Sequence, residues 1–114
     1  MPDAMALDVT AFLQRIGDDR ALAGAMAELF LDLYPAMLDA ARVAVQQGDG
    51  AALAQAAHAL KGSVGNFGAA AATDAAARLE TIGQGGDVAA AAIALRELEE
   101  ALERLAPILR EMSA

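Results

Sequence analysis

The feature that most restricts this 114-residue chain is an alanine-rich composition broken at short intervals by glycine and aspartate. Alanine is the best helix former and a poor strand former, so an all-α chain is expected before any motif is read. The apolar share is 57% while aromatic residues make up only 4%, which suits closely packed helices rather than a core built on large rings. The length allows one ordinary domain and not two.

Turn signals divide the chain into five helical segments, at about 8–16, 19–47, 51–67, 69–82 and 88–111. Asp8 can cap the first, and Gly17 can end it in the left-handed region. In the second, Leu22, Met26, Leu29, Phe30, Leu33, Met37, Leu38 and Ala41 recur at spacings that predict one buried stripe. Pro35 inside that stripe predicts a kink. Gly48-Asp49-Gly50 is the next break, and Gly83-Gln84-Gly85-Gly86 reads as a loop before a cap at Asp87. The last helix carries Ile93, Leu95, Leu98, Leu102, Leu105 and Leu109 as its apolar members, with Pro107 disturbing its final turns. Such short connections force antiparallel neighbours. The expected architecture is an up-down antiparallel four-helix bundle with a short additional N-terminal helix, forming a single domain over 1–114.

Charge and composition remove several classes of function. A net charge of -8 and a pI near 4.4 argue against nucleic acid or an anionic membrane as partner. With no cysteine there is no disulfide framework, no thiol nucleophile and no thiolate zinc cluster. One histidine and no inward-facing carboxylate pairs leave no bound metal to expect, and a carboxylate metal enzyme is disfavoured. Met1 to Leu7 lack a basic stretch followed by an apolar run, so no secretory signal is expected there. The alanine-rich stretches are interrupted by Asp, Arg and Gln, so no membrane-spanning segment is expected either. A cytoplasmic monomer follows as the expectation, and the starting methionine favours a free-standing protein.

The third helix holds the informative residues. Leu53, Leu60 and Phe67 recur every seven positions and so share the core face. His58 lies roughly 160° from Leu60 at helical periodicity, so its imidazole points outward. Around it on that face stand Ala51, Ala54, Gln55, Lys61, Gly62 and Gly65. A merely solvated face would carry more charge, and each mid-helix glycine costs about 1 kcal/mol relative to alanine. The pattern favours access to His58 over helix stability. A neutral imidazole can attack phosphorus, and Lys61, one turn away, can neutralise phosphoryl oxygens. Gly62 leaves room for the group and for whatever delivers it. Phosphoryl transfer asks mainly for positioning and charge stabilisation, so so spare a site is chemically sufficient.

His58-Ala59-Leu60-Lys61-Gly62-Ser63, followed by Asn66-Phe67-Gly68-Ala69, resembles the signature of the histidine-containing phosphotransfer (HPt) domain family. The resemblance extends to Arg15-Ile16-Gly17-Asp18, Gly48-Asp49, Leu79-Glu80 and Gly86-Asp87. It implies that His58 is phosphorylated on Nε2 by a receiver-domain phosphoaspartate and passes the group to another receiver. It implies Lys61 near the phosphoryl group and a small residue at Gly62. The implied partners are response-regulator receiver domains and a hybrid histidine kinase. No cofactor belongs to the chain, because the receiver supplies magnesium. The chain has no ATP-binding segment, so it would be a phosphotransfer intermediate and not a kinase or phosphatase. The alternative is a helical module that binds a receiver or kinase without carrying phosphate; intact His58, Lys61 and Gly62 speak against it.

Two further expectations concern the surroundings of His58. Counting back from the turn at Phe67-Gly68 puts the level of His58 near Ala77 or one turn beyond, which includes Glu80. In similar domains, including those of chemotaxis kinases, a Glu or Gln there hydrogen-bonds Nδ1, so Glu80 could fix the tautomer and leave Nε2 free. Partner contacts are expected at Ala54, Gln55, Gly62 and Gly65, with Phe67 at the rim, on the outward face of the third helix and the adjoining fourth. Relatives often place larger residues at Ala72 and Ala76, and some a basic residue at Gln84.

Overall fold

Aspartates open the first three helices of the computed structural model, which describes residues 6–114. Asp8, Asp19 and Asp49 each accept a side-chain hydrogen bond from a backbone N–H three residues on, at Ala11, Leu22 and Ala52. The helices are α1 (Val9–Arg15), α2 (Arg20–Gln47), α3 (Gly50–Gly65), α4 (Ala70–Gly85) and α5 (Ala91–Ser113), with a 3₁₀ turn at Val88–Ala90 before the last. The described residues are all-α, with no strand among them. Most of the stretch from Met1 to Leu7, on which the absence of a secretory signal was expected, lies outside the described residues.

Gly48 and Asp49 reverse the chain between α2 and α3. Gly48 adopts a left-handed conformation (φ 66°), its N–H bonds the Val45 carbonyl, and the Asp49 N–H bonds that of Ala44. Asp49 then caps α3 at once. Two residues thus end one helix and start the next, and this sets α3 alongside α2. The helices α2 to α5 pack in a ring, each on its sequence neighbours, with α5 closing on α2.

The core is richest in leucine on α5 and in alanine on α2 and α4. Leu53, Leu60, Leu79, Leu98, Leu102, Leu105 and Leu109 are fully buried. From α2 the buried residues are Ala23, Ala27, Phe30, Leu38, Ala41 and Ala44. This corrects the expected stripe: Leu22, Leu29 and Leu33 are 44%, 60% and 50% exposed. Phe30, Leu38 and Ala41 of that stripe are buried as expected, and Met26 and Met37 pack against the core, so only the three leucines fall outside it. Ile93 of α5 is also turned outward. The helix α2 runs unbroken through Pro35, and α5 through Pro107. By length and composition α2 is apolar enough to cross a membrane, contrary to the reading of its interruptions.

The expected glycine loop is helix. The segment Gly83-Gln84-Gly85 continues α4, and only Gly86 leaves it, in a left-handed conformation. Asp87 precedes the 3₁₀ turn without a side-chain cap. Gly83 is helical because α3 crosses there: a Cβ on it would lie 2.6 Å from the backbone nitrogen of Ala54 and 2.8 Å from the Gly50 carbonyl. The small residues Ala72 and Ala76, both buried, continue this close packing along α4.

Candidate functional site

On α3, Leu53, Ala57, Leu60 and Val64 are buried, which turns His58 outward in the middle of the helix. Its side chain is 70% exposed. From α4, antiparallel to α3 across the Phe67-Gly68 turn, Glu80 comes to the same level. Its carboxylate is engaged at both oxygens: Oε2 lies 2.8 Å from His58 Nδ1, and Oε1 accepts from Lys61 Nζ at 2.6 Å. Glu80 itself is only 13% exposed, so two surface side chains are held by a largely covered acid.

The electrostatics favour one tautomer of the ring. The Lys61 hydrogen bond holds the Glu80 carboxyl below its ordinary value; burial opposes this and His58 adds to it. An ionised carboxylate only accepts, so Nδ1 must donate. In the neutral ring Nε2 then carries the lone pair, and it faces solvent. The contribution of this ionised acid to stability is full above its unfolded value and is lost as pH falls through the depressed folded one. The stability difference between wild type and Glu80→Gln should therefore shrink below pH 4.5, as measured by urea unfolding across a pH series. A difference that grows on acidification would contradict this charge assignment.

Gly62 and Gly65 share the outward face with His58, and both are exposed. A Cβ added to either would meet no atom within 4 Å, so packing within the domain does not demand glycine at these positions. Gln55 is exposed, while Ala54 is half-buried against the α3–α4 crossing. Phe67 is not at a rim: it is 3% exposed, packed between Phe12 of α1 and Phe30 of α2 at ring separations of 5.1 and 5.8 Å. Its heptad relation to Leu53 and Leu60 already pointed inward. Ser63 donates its hydroxyl to the Ala59 carbonyl of its own helix.

Sequence reasoning missed the flank formed by α2. Met26, Leu29, Leu33 and Met37 line a groove with Ser63 and Asn66 beside the histidine helix. The only signal was that several of these residues stand one position before an alanine or aromatic with a stronger claim to the core. Among the described residues no cluster of three His, Asp or Glu side chains could hold a metal ion.

The Hpt domain family matches residues 25–107, a stretch that contains all of α3 and α4. The chain belongs to the Hpt domain family. Hpt domains act in histidine phosphotransfer within two-component phosphorelays; they are carriers, not kinases, and interact with receiver domains and histidine kinases. His58, Lys61, Gly62 and Glu80 all fall inside the matched Hpt stretch. No curated protein and no solved structure matches the chain.

Proposed function

We propose that this Hpt domain carries a phosphoryl group on Nε2 of His58, taken from the phosphoaspartate of one receiver and passed to the aspartate of another. The observation that supports the reading is the Glu80 carboxylate shared by His58 Nδ1 and Lys61 Nζ, which favours the tautomer with its proton on Nδ1 and Nε2 free to react. In the forward step the Nε2 lone pair attacks phosphorus, the bond from phosphorus to the aspartyl oxygen breaks, and the aspartate leaves as a carboxylate. The imidazolium character that develops on the ring is stabilised through Nδ1–H by Glu80. Lys61 has three donors, so it can keep Glu80 and still offer a hydrogen to the incoming phosphoryl oxygens. Magnesium belongs to the receiver, and the chain itself brings no cofactor. The partner approaches over Gln55, Gly62 and Gly65, where the helix has little side chain to clear. The domain acts as a cytoplasmic monomer, with neither nucleic acid nor membrane as its target.

The test is transfer of labelled phosphate from a phosphorylated receiver to wild type and to His58→Gln. Acid-labile, base-stable label on wild type alone is the expected result. No label from a broad panel of receivers, with the fold intact, would replace this reading by that of a receiver-binding module that carries no phosphate.

A further inference from the structure

The Glu80 carboxylate has a second consequence once the ring carries phosphate. An imidazole phosphorylated on Nε2 leaves phosphorus readily only while Nδ1 bears a proton, because it then departs as neutral imidazole and not as imidazolate. An unassisted imidazole loses its charge across the neutral range. A carboxylate that accepts from Nδ1 at 2.8 Å favours the protonated form. Glutamine in the same place would accept the same hydrogen bond without the charge. The choice of acid over amide at position 80 therefore bears on how long the phosphoryl group stays.

Few charged groups surround the ring. Lys61 is the only charged residue of α3, and α4 carries Asp74, Arg78 and Glu80, of which Arg78 is paired with Glu97 of α5. Asp74 lies nearly two turns before Glu80. Arg15 of α1 meets the end of α3 at the Asn66 carbonyl, and no ion pair joins α2 to α3 or α4 among the described residues. The Lys61 hydrogen bond holds the Glu80 carboxyl below its ordinary value, so Glu80 stays charged wherever imidazole titrates. The phosphoryl position is also open to water: the His58 side chain is 70% exposed, and Gly62 and Gly65 beside it bring no side chain to cover it.

We infer that Glu80 keeps the phosphohistidine protonated at Nδ1 and so makes it a short-lived carrier, built for prompt release and not for storage. The inference rests on the phosphotransfer reading and adds the lifetime of the carried group. In onward transfer an aspartate oxygen of the receiver attacks phosphorus, the bond from phosphorus to Nε2 breaks, and its electron pair returns to Nε2. The ring leaves as neutral imidazole, with Nδ1–H still donated to Glu80. Water can take the place of the aspartate, and inorganic phosphate carrying the protons of that water is then released. Spontaneous hydrolysis thus reports the protonation of the phosphorylated ring.

Phosphoramidate, a small-molecule donor that loses ammonia as Nε2 takes its phosphoryl group, loads the ring without any receiver. Wild type, Glu80→Gln and Glu80→Ala would be loaded and freed of donor, with His58→Gln as the blank and circular dichroism as the check of fold. Loss of the base-stable label is then followed at a series of pH values. Wild-type hydrolysis should stay fast toward the alkaline end, whereas both Glu80 variants should slow steadily above neutrality. The ratio of wild-type to Glu80→Gln rates should rise from about one near pH 5 to on the order of tenfold at about pH 8. If Glu80 only held α4 against α3, its loss would change the rates by one factor at every pH, and that result would overturn the inference. So would a Glu80→Gln lifetime no longer than that of wild type at the alkaline end. No label from phosphoramidate on wild type would overturn the inference and the phosphotransfer reading together. The expected pH profile, with no label from any receiver, would uphold the chemistry of the ring and defeat the relay alone.

Discussion

Gly62→Leu should give a domain that is more stable than wild type and nearly unable to accept phosphate. The gain follows from helix propensity: leucine in place of glycine inside a helix is worth about 0.7–1 kcal/mol, and no atom lies within 4 Å of the new Cβ to oppose it. The loss follows from place. Gly62 is four residues after His58 and so one turn along the same face, where the aspartyl phosphate that Nε2 attacks must come within its reach. A leucine there holds the donor back, and a displacement of about 1 Å can cost on the order of a hundredfold in rate. Urea unfolding and the initial rate of transfer from a phosphorylated receiver would be measured together. A folded Gly62→Leu variant that transfers at the wild-type rate would show that the glycine does not serve access. Few other substitutions in this chain should raise stability and abolish function at once.

Phe67→Ala should act in the opposite sense, with a loss of about 3–5 kcal/mol. The ring of Phe67 sits at the meeting point of three elements, 5.1 Å from Phe12 and 5.8 Å from Phe30, and Phe30 in turn stacks on Tyr34. The protein has only three phenylalanines, and all are in this cluster. Removing the central one leaves a cavity that α1 and α2 border together. Against a total of about 5–15 kcal/mol for an ordinary domain, that is a large share. The denaturation midpoint in urea should fall accordingly, and Phe67→Leu should keep most of the loss away. A cost below about 1 kcal/mol would mean that α1 and the end of α3 are not joined through this ring.

The site was more legible than the packing around it. The heptad from Leu53 through Leu60 to Phe67 set the orientation of α3, so the outward aim of His58 and the inward aim of Phe67 both followed from one periodicity. Placing Phe67 at a contact rim ignored that periodicity. Glu80 could be found by counting across a short turn. The grip of Glu80 on Lys61 could not, because the sequence assigned the lysine only to phosphoryl oxygens. On α2, apolar periodicity was present twice, once in alanine and once in leucine. A rule that follows hydrophobic bulk adds Leu22, Leu29 and Leu33 to the core, whereas the bundle buries Ala23, Ala27, Ala41 and Ala44 beside Phe30 and Leu38 and so brings its helices close. Gly83 misled for a related reason. Glycine usually marks a loop, but here it lets the α3 backbone come within 2.6 Å of where a Cβ would be. That contact also bears on function, since Gly83 lies one turn beyond Glu80 and fixes how near α4 stands to His58.

The phosphoryl group is expected on Nε2 of His58 while Nδ1 keeps its proton and donates it in a hydrogen bond to Glu80. This placement is tested most directly by nuclear magnetic resonance of the protein, labelled with ¹⁵N in its single histidine and phosphorylated by a receiver. The account predicts a phosphorus–nitrogen coupling to Nε2 and a retained Nδ1 proton, with the latter weakened in Glu80→Ala. Coupling to Nδ1, or phosphorus on any group other than the imidazole, would contradict it.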